Sequence, residues 1–217
     1  MNREEILETL KAAAEIDKDF KLFGASRHKY CLNAPVSAEF VRAAEEKYSF
    51  ALPDDYFRFI TEIGDGGAGE DYGLYSFEDF ITKDKYPAIE KERRSLNRPF
   101  EIRPMTEADA ENSALAEGFF EKNREKCFFD PRCSDDDFDG FTGGFLVIMT
   151  RGCQYDVGIA LSGEHRGQVF DIDYEGDFVL TANSFEDFYQ SWLDKIANHE
   201  WLKQQIEFWS NLGKRDK

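Results

Sequence analysis

The acidic run over 135–140 is the segment of this sequence whose residue types could most directly do chemistry. Asp135, Asp137 and Asp139 alternate ahead of a glycine, as in the first half of an EF-hand calcium loop, where oxygen ligands converge on a hard cation. That loop also needs a bidentate carboxylate at its twelfth position, and Leu146 stands there. We therefore expect no calcium site. The run is either a solvated acidic turn or part of a surface for a basic partner, and the sequence leaves both open.

The glycine-rich loop over 64–69 is a second candidate, since glycine loops can hold phosphates. A dinucleotide-binding loop follows a strand and opens a helix. Here the pattern predicts a helix before the loop and a short strand over 72–75 after it. Because this order is reversed, we interpret the loop as a turn that ends a helix.

Metal and nucleophile patterns are incomplete. Cys127 and Cys133 are separated by five residues, outside the usual spacing of a zinc-binding pair, and no second pair completes a tetrahedron. His28 and Cys31 have a workable spacing but lack partners nearby. The sequence has no Gly-x-Ser-x-Gly motif, and His165 falls in a predicted hairpin turn. We expect no catalytic residues, no metal and no cofactor.

Charge gives the clearest indication of partners. The chain has 44 acidic and 27 basic side chains, for a formal net charge of −17. Such a field repels phosphate backbones and anionic lipid, so direct binding of nucleic acid or membrane is disfavoured. It attracts basic partners and accelerates encounter with them, although it also serves plain solubility.

The composition predicts one folded domain in a reducing compartment. Hydrophobic residues make up 41% of the 217 residues, enough to form one sizeable core. Four irregularly spaced cysteines are typical of free thiols. The charged start of the chain has no apolar signal segment, and no stretch approaches the roughly 20 apolar residues that span a bilayer. We expect a cytoplasmic protein.

The first half of the chain reads as helices. Apolar residues recur at helical spacing over 3–16, and Ser37 is placed to cap a second helix. A third helix begins at Pro53 and continues to Ile63. We expect Gly64 to end it in a left-handed conformation.

The second half predicts an antiparallel sheet followed by helices. Apolar or alternating runs over 145–150, 155–161, 168–172 and 178–180 indicate four strands separated by turns. Ser184 is placed to cap a helix whose large apolar residues should face the sheet, and a last helix covers about 200–212. A helix over 106–126 lies within an elaboration over about 82–130. The fold class is α+β, with N-terminal helices, a central antiparallel sheet and C-terminal helices packed on it.

Several segments together resemble one family. In chain order they are Leu52-Pro53-Asp54-Asp55-Tyr56 with Phe59 and Ile60, Gly64-Asp65-Gly66-Gly67, Tyr72-Gly73-Leu74, Gly143-Gly144-Phe145-Leu146-Val147-Ile148, Gly152-Cys153, the turn 163–167 with Val169-Phe170, and Ser184-Phe185-Glu186-Asp187-Phe188 with Trp192-Leu193. Their joint order resembles the SUKH superfamily, which includes the yeast cell-wall-assembly regulator and many bacterial immunity proteins. The resemblance covers most of residues 20–196, except 82–130.

The resemblance implies an α+β domain that binds another protein. For most bacterial members it implies neutralisation of a cognate toxin, frequently a nuclease or a deaminase. The matched residues are core and turn positions, so the resemblance transfers the fold and no catalytic residues. It describes the chain as a single SUKH-like domain over 1–217, with a core over about 20–196.

Together these patterns predict a non-enzymatic immunity protein that masks a basic, nuclease-type toxin. The residues predicted to contact the partner are Asp135, Asp136, Asp137 and Asp139, followed by Glu70 and Asp71. One alternative is a regulatory or scaffold domain with an endogenous partner and no toxin. Another is a metal-dependent hydrolase built on the aspartates.

Overall fold

The architecture is α+β, as predicted, with helices at both ends of the chain and a four-stranded antiparallel sheet between them. The computed structural model describes residues 1–85, 89–100, 143–153, 155–173 and 178–212. The helix predicted over 106–126 and most of the elaboration over 82–130 lie outside these ranges. No helix in them is long and apolar enough to cross a membrane.

Several of the described helices begin at a side chain that caps them. They are α1 Arg3–Ile16, α2 Ala25–His28, α3 Ala38–Tyr48, α4 Asp54–Arg58, α5 Phe77–Thr82, α6 Ile89–Ser95, α7 Phe185–Ala197 and α8 His199–Leu212. Ser37 caps α3 and Ser184 caps α7 through side-chain oxygens that accept a free N–H, as predicted. Asn2 and Ser76 cap α1 and α5 in the same way. The sequence pattern missed α2, α5 and α6.

The third predicted helix changes its winding halfway. After α4 the chain continues as a π-helix, Phe59–Ile63, and the Gly64 N–H donates to the Phe59 carbonyl at 2.9 Å. This longer bond frees the Ile60 carbonyl, which accepts the Val36 N–H at 3.0 Å. The π-helix therefore ties the segment before α3 to the helix.

Gly64 does not adopt the left-handed conformation predicted for it. Its φ is 179°, which is extended backbone that any residue can adopt. Glycine is needed here because of space. A Cβ would lie 2.9 Å from the Leu32 Cβ and 3.0 Å from the Asn33 carbonyl oxygen. The residue therefore permits close approach of a neighbouring segment.

The sheet is a meander of four strands in the order β1-β2-β3-β4. Its strands are β1 Phe145–Gly152, β2 Tyr155–Ala160, β3 Val169–Asp173 and β4 Phe178–Ala182. All four predicted strands are confirmed. In place of the predicted strand over 72–75 there are two isolated bridges at Leu74, one to Met149 and one to Gly67. The Gly73 N–H closes a turn on the Glu70 carbonyl, so the chain has no room to form a longer ladder there.

The sheet separates two apolar clusters. Its main face packs on the helices, where Phe185, Phe188, Trp192 and Ile196 of α7 are buried as predicted. The opposite face carries a cluster of phenylalanine rings whose centroids lie 5.0–6.4 Å apart, formed by Phe100, Phe145, Phe170 and Phe178. Aromatic packing on both faces fixes the sheet, and with it the residues at the β1–β2 end.

Candidate protein-binding surface

Asp65, in the glycine-rich loop, holds the start of α5. Its carboxylate accepts hydrogen bonds from the Ser76 hydroxyl at 2.7 Å, the Phe77 N–H at 2.7 Å and the Glu78 N–H at 3.0 Å. Asp65 is almost fully buried, and burial raises its pKa although all three donors favour the ionised form. This carboxylate therefore serves the fold.

The backbone of the same loop is also bonded within the protein. The Gly66 N–H donates to Gly64, the Gly67 N–H to Leu74 and the Ala68 N–H to Cys31, at 2.8–3.0 Å. A phosphate-binding loop needs such N–H groups free to face an anion. The geometry supports the interpretation of this segment as a structural turn.

Two further carboxylates are used in the same way. Glu45, on α3, accepts the Leu52 N–H at 2.7 Å and the Arg42 guanidinium at 2.6 Å. Asp55 accepts the Glu186 N–H at 3.1 Å and so satisfies a free donor at the start of α7. The polar side chains that hold the elements together are therefore not available to a ligand.

A β-bulge on β1 creates the most distinctive polar feature of the described surface. The register between β1 and β2 shifts between Thr150 and Gly152, so Arg151 is the extra residue of the bulge. A bulge re-aims the side chain it carries. The Arg151 Nη1 lies 2.8 Å from Glu70 and 2.8 Å from Asp71, and its Nε lies 3.0 Å from Asp171.

Lys195 of α7 completes this ion network through a 2.7 Å contact with Glu70. Burial opposes the charge of Arg151, but Asp171 and its other carboxylate neighbours outweigh that effect and raise its pKa. Burial would also raise the pKa of Glu70, yet its contacts with Lys195 and Arg151 lower it. Asp71 shares only Arg151, and burial raises its pKa. The two neighbouring carboxylates therefore differ because one has two cations and the other has one.

Aromatic side chains lie beside the network. Phe23 stacks on Trp209 with ring centroids 4.8 Å apart and meets the Tyr72 ring edge-on at 5.1 Å. Gly152 leaves room for Tyr72, since a Cβ there would lie 2.9 Å from its ring. Phe208, next to Trp209, is 54% exposed.

Tyr155 extends this aromatic region onto the sheet. It is 50% exposed and pairs with Gly152, next to the turn of the β1–β2 hairpin. Residues two apart in a strand share a face, and Val157 pairs with Asp171, so Tyr155 and Asp171 lie on the same face. We call the whole region the Arg151 surface; its members are Phe23, Glu70, Asp71, Tyr72, Arg151, Tyr155, Asp171, Lys195, Phe208 and Trp209.

The structure places the predicted contact residues differently. Glu70 and Asp71 come together on Arg151 and are only 22% and 23% exposed. The acidic run with Asp135, Asp136, Asp137 and Asp139 lies outside the described residues, so its role stays a prediction. Sequence reasoning missed Arg151 and Lys195; the available signal for Arg151 was a charged residue closing the apolar run of β1.

The histidine and cysteine candidates are dispersed. His28 is buried, its Nδ1 accepts the Tyr30 N–H at 3.0 Å, and burial lowers its pKa to about 4. Cys31 and Cys153 are exposed free thiols. Within the described ranges no three histidine, cysteine or acidic side chains are placed to hold a metal ion. Cys127 and Cys133 lie outside those ranges.

The fold and this surface define an α+β module whose described motif side chains serve the architecture. It exposes the ring of Tyr155 next to the β1–β2 turn. The sequence model of the SMI1 / KNR4 family (SUKH-1) matches residues 35–191, and the chain belongs to this family. The family consists in general of immunity and regulatory domains, is generally non-catalytic and is associated with protein–protein interaction. A search of the curated proteins finds no match to this chain.

Proposed function

We propose that this chain is a cytoplasmic, non-enzymatic immunity protein that neutralises a basic, nuclease-type toxin by covering the toxin's active site. Membership of the SUKH-1 family supports a protein-binding role. The toxin, its basic character and its chemistry are the specific content of the proposal.

The observation that carries the proposal is the contrast between buried and exposed functional groups. Asp55 and Asp65 are bonded within the fold. Phe208 and Tyr155, in contrast, present aromatic surface to solvent. Aromatic residues and arginine are enriched at protein–protein interfaces, and aromatic residues without a catalytic group beside them favour binding over catalysis.

Charge supports the proposed partner chemistry. The chain is acidic overall, and residues 101–142 alone contain twelve acidic and five basic side chains. A nuclease must present basic groups to bind a phosphate backbone. An acidic protein would be steered to those groups and would compete with nucleic acid for them.

Affinity capture from the native cell lysate, at low and then high salt with mass spectrometry as the readout, tests the proposal. We expect one stoichiometric basic partner that is lost at high salt and whose nuclease activity is inhibited at a 1:1 ratio. A partner without toxic activity would favour a regulatory domain with an endogenous partner. Stoichiometric metal in the purified protein, together with hydrolytic activity, would overturn the non-enzymatic assignment.

Charge reversal of the acidic run should weaken binding of that partner. Replacing Asp135, Asp136, Asp137 and Asp139 by lysine should lower affinity about tenfold or more at low salt and flatten its salt dependence, because complementary charges are lost. Isothermal titration calorimetry at two salt concentrations measures both effects.

A matched control separates a local contact from the overall field. Four exposed glutamates distributed over other surfaces can be reversed to give the same net charge: Glu8, Glu39, Glu46 and Glu62. We expect this control to lose clearly less affinity than the 135–139 variant. Equal losses would show that the run is only a solvated part of a diffuse acidic field.

A further inference from the structure

The contact between Lys195 and Glu70 is the most accessible connection in the ion network. Arg151 makes three carboxylate contacts and its side chain is 23% exposed. The Lys195 side chain is 46% exposed and holds Glu70 through one 2.7 Å contact. An exposed ion pair of this kind is weak, because water and salt compete for both partners.

The network depends on Lys195 for its charge balance. Glu70, Asp71 and Asp171 surround a single guanidinium, and Lys195 supplies the second cation. Without the ammonium group, three half-buried carboxylates would share one positive charge. Another cation that replaced it would restore the balance without moving Arg151.

The surroundings fit a cation that is carried by another protein. Tyr155 is half-exposed on the same face of the sheet as Asp171, and Phe208, whose ring meets Trp209, is exposed on α8. Lysine and arginine side chains combine an aliphatic stem with a charged end, so they can pack on aromatic rings while reaching a carboxylate. A free metal ion or small cation would leave these rings uncovered.

We propose that the partner inserts a lysine or arginine side chain against Glu70 and displaces Lys195, which occupies this contact point in the free protein. The inference rests on the proposed function in that it requires a basic protein partner. Exchange of one cation for another leaves the charge of the network unchanged, and the released Lys195 moves into solvent. The Arg151 surface is then the docking site of a basic protein segment.

Replacement of Lys195 by methionine tests the exchange, with Lys203→Met on α8 as the matched control. Both variants remove one exposed lysine and change the net charge equally, but Lys203 belongs to no ion pair described here. A blocked hexa-arginine peptide is titrated into each protein. Its dissociation constant is read from the backbone amide NMR signals of Asp71 and Gly152, which separates this site from binding elsewhere.

K195M should bind the peptide about two- to fivefold more tightly than the unaltered protein, because no internal cation has to be displaced. K203M should change the affinity by clearly less. Adding Glu70→Gln to K195M should remove the gain. Unfolding midpoints equal to that of the unaltered protein show that the variants are folded.

Weaker binding by K195M, or the same change in K195M and K203M, would overturn the exchange. The captured partner distinguishes this failure from failure of the proposed function. If the partner is inhibited equally by both lysine variants, the exchange is wrong and the immunity role stands. If no basic partner is captured, the proposed function fails whatever the peptide shows.

Discussion

Replacing Asp65 by alanine should lower the free energy of unfolding by about 3 kcal/mol. The substitution removes the acceptor of the Ser76 hydroxyl and of the Phe77 and Glu78 N–H groups, and the Phe77 bond is fully buried. An unsatisfied buried donor costs about 1–3 kcal/mol. Burial raises the pKa of Asp65, because a buried negative charge is unfavourable. Removing the carboxylate also removes this cost, so the loss of unfolding free energy is smaller than the sum of three hydrogen bonds. Urea unfolding at neutral pH measures it.

Two variants test whether the carboxylate itself is responsible. Asp65→Asn keeps one acceptor oxygen but turns an amide N–H toward a donor, so we expect an intermediate loss of about 1.5 kcal/mol. Asp79→Ala removes a carboxylate of α5, the helix whose start Asp65 holds. The Asp79 carboxylate contacts Lys83 and Lys85 at the surface, and its removal should cost about 0.5 kcal/mol. Equal losses at positions 65 and 79 would contradict the capping role.

The sequence predictions are most accurate for elements that are determined by residues close together in the chain. Ser37 and Ser184 cap helices through an N–H three residues away, so the determinants lie within one turn. The strand β2 alternates along its own length and pairs with neighbours joined by short turns. These elements were predicted with nearly correct bounds, whereas α5 was missed although Ser76 caps it in the same way.

Other errors fall where distant segments decide the conformation. Position 64 needs glycine because the Leu32 side chain and the Asn33 carbonyl lie against it, and no local pattern reports that contact. Leu74 forms one bridge to Met149, 75 positions away, and the turn before it prevents a longer strand. Single-sequence reasoning recognised the residue types there but not the partners that determine their conformation.

The same distinction explains which parts of the candidate surface were predicted. Glu70 and Asp71 were identified by their position after the glycine loop, and both lie on the surface that we propose to bind the partner. Their cations, Arg151 and Lys195, are at least 80 positions away in the chain and meet them only through the β-bulge and the last turn of α7. A charge assignment from sequence alone therefore overstates how negative this part of the surface is.

Stability should fall as the pH is lowered from 7.5 to 4.5, with His28 contributing about 2.5 kcal/mol of the loss. Burial lowers the pKa of His28 from 6.5 to about 4, and the charge of nearby Asp17 only partly opposes this. The His28 imidazole therefore binds a proton below pH 6.5 in the unfolded chain but only below about pH 4 in the folded protein. The contribution is complete above pH 6.5 and is lost progressively toward pH 4. Urea unfolding at several pH values measures the slope.

His28→Asn isolates this contribution, because other buried groups also titrate in the range. The asparagine oxygen can accept the Tyr30 N–H in place of Nδ1, but it carries no proton that titrates. The variant should be less stable than the unaltered protein at pH 7.5, since the ring contact with Trp192 is lost. Its free energy of unfolding should fall less steeply as the pH is lowered. His199→Asn removes an exposed histidine and should keep the original slope. If H28N and the unaltered protein lost stability in parallel, His28 would have to be protonated in the fold, and a buried imidazolium beside Asp17 would replace the neutral ring inferred here.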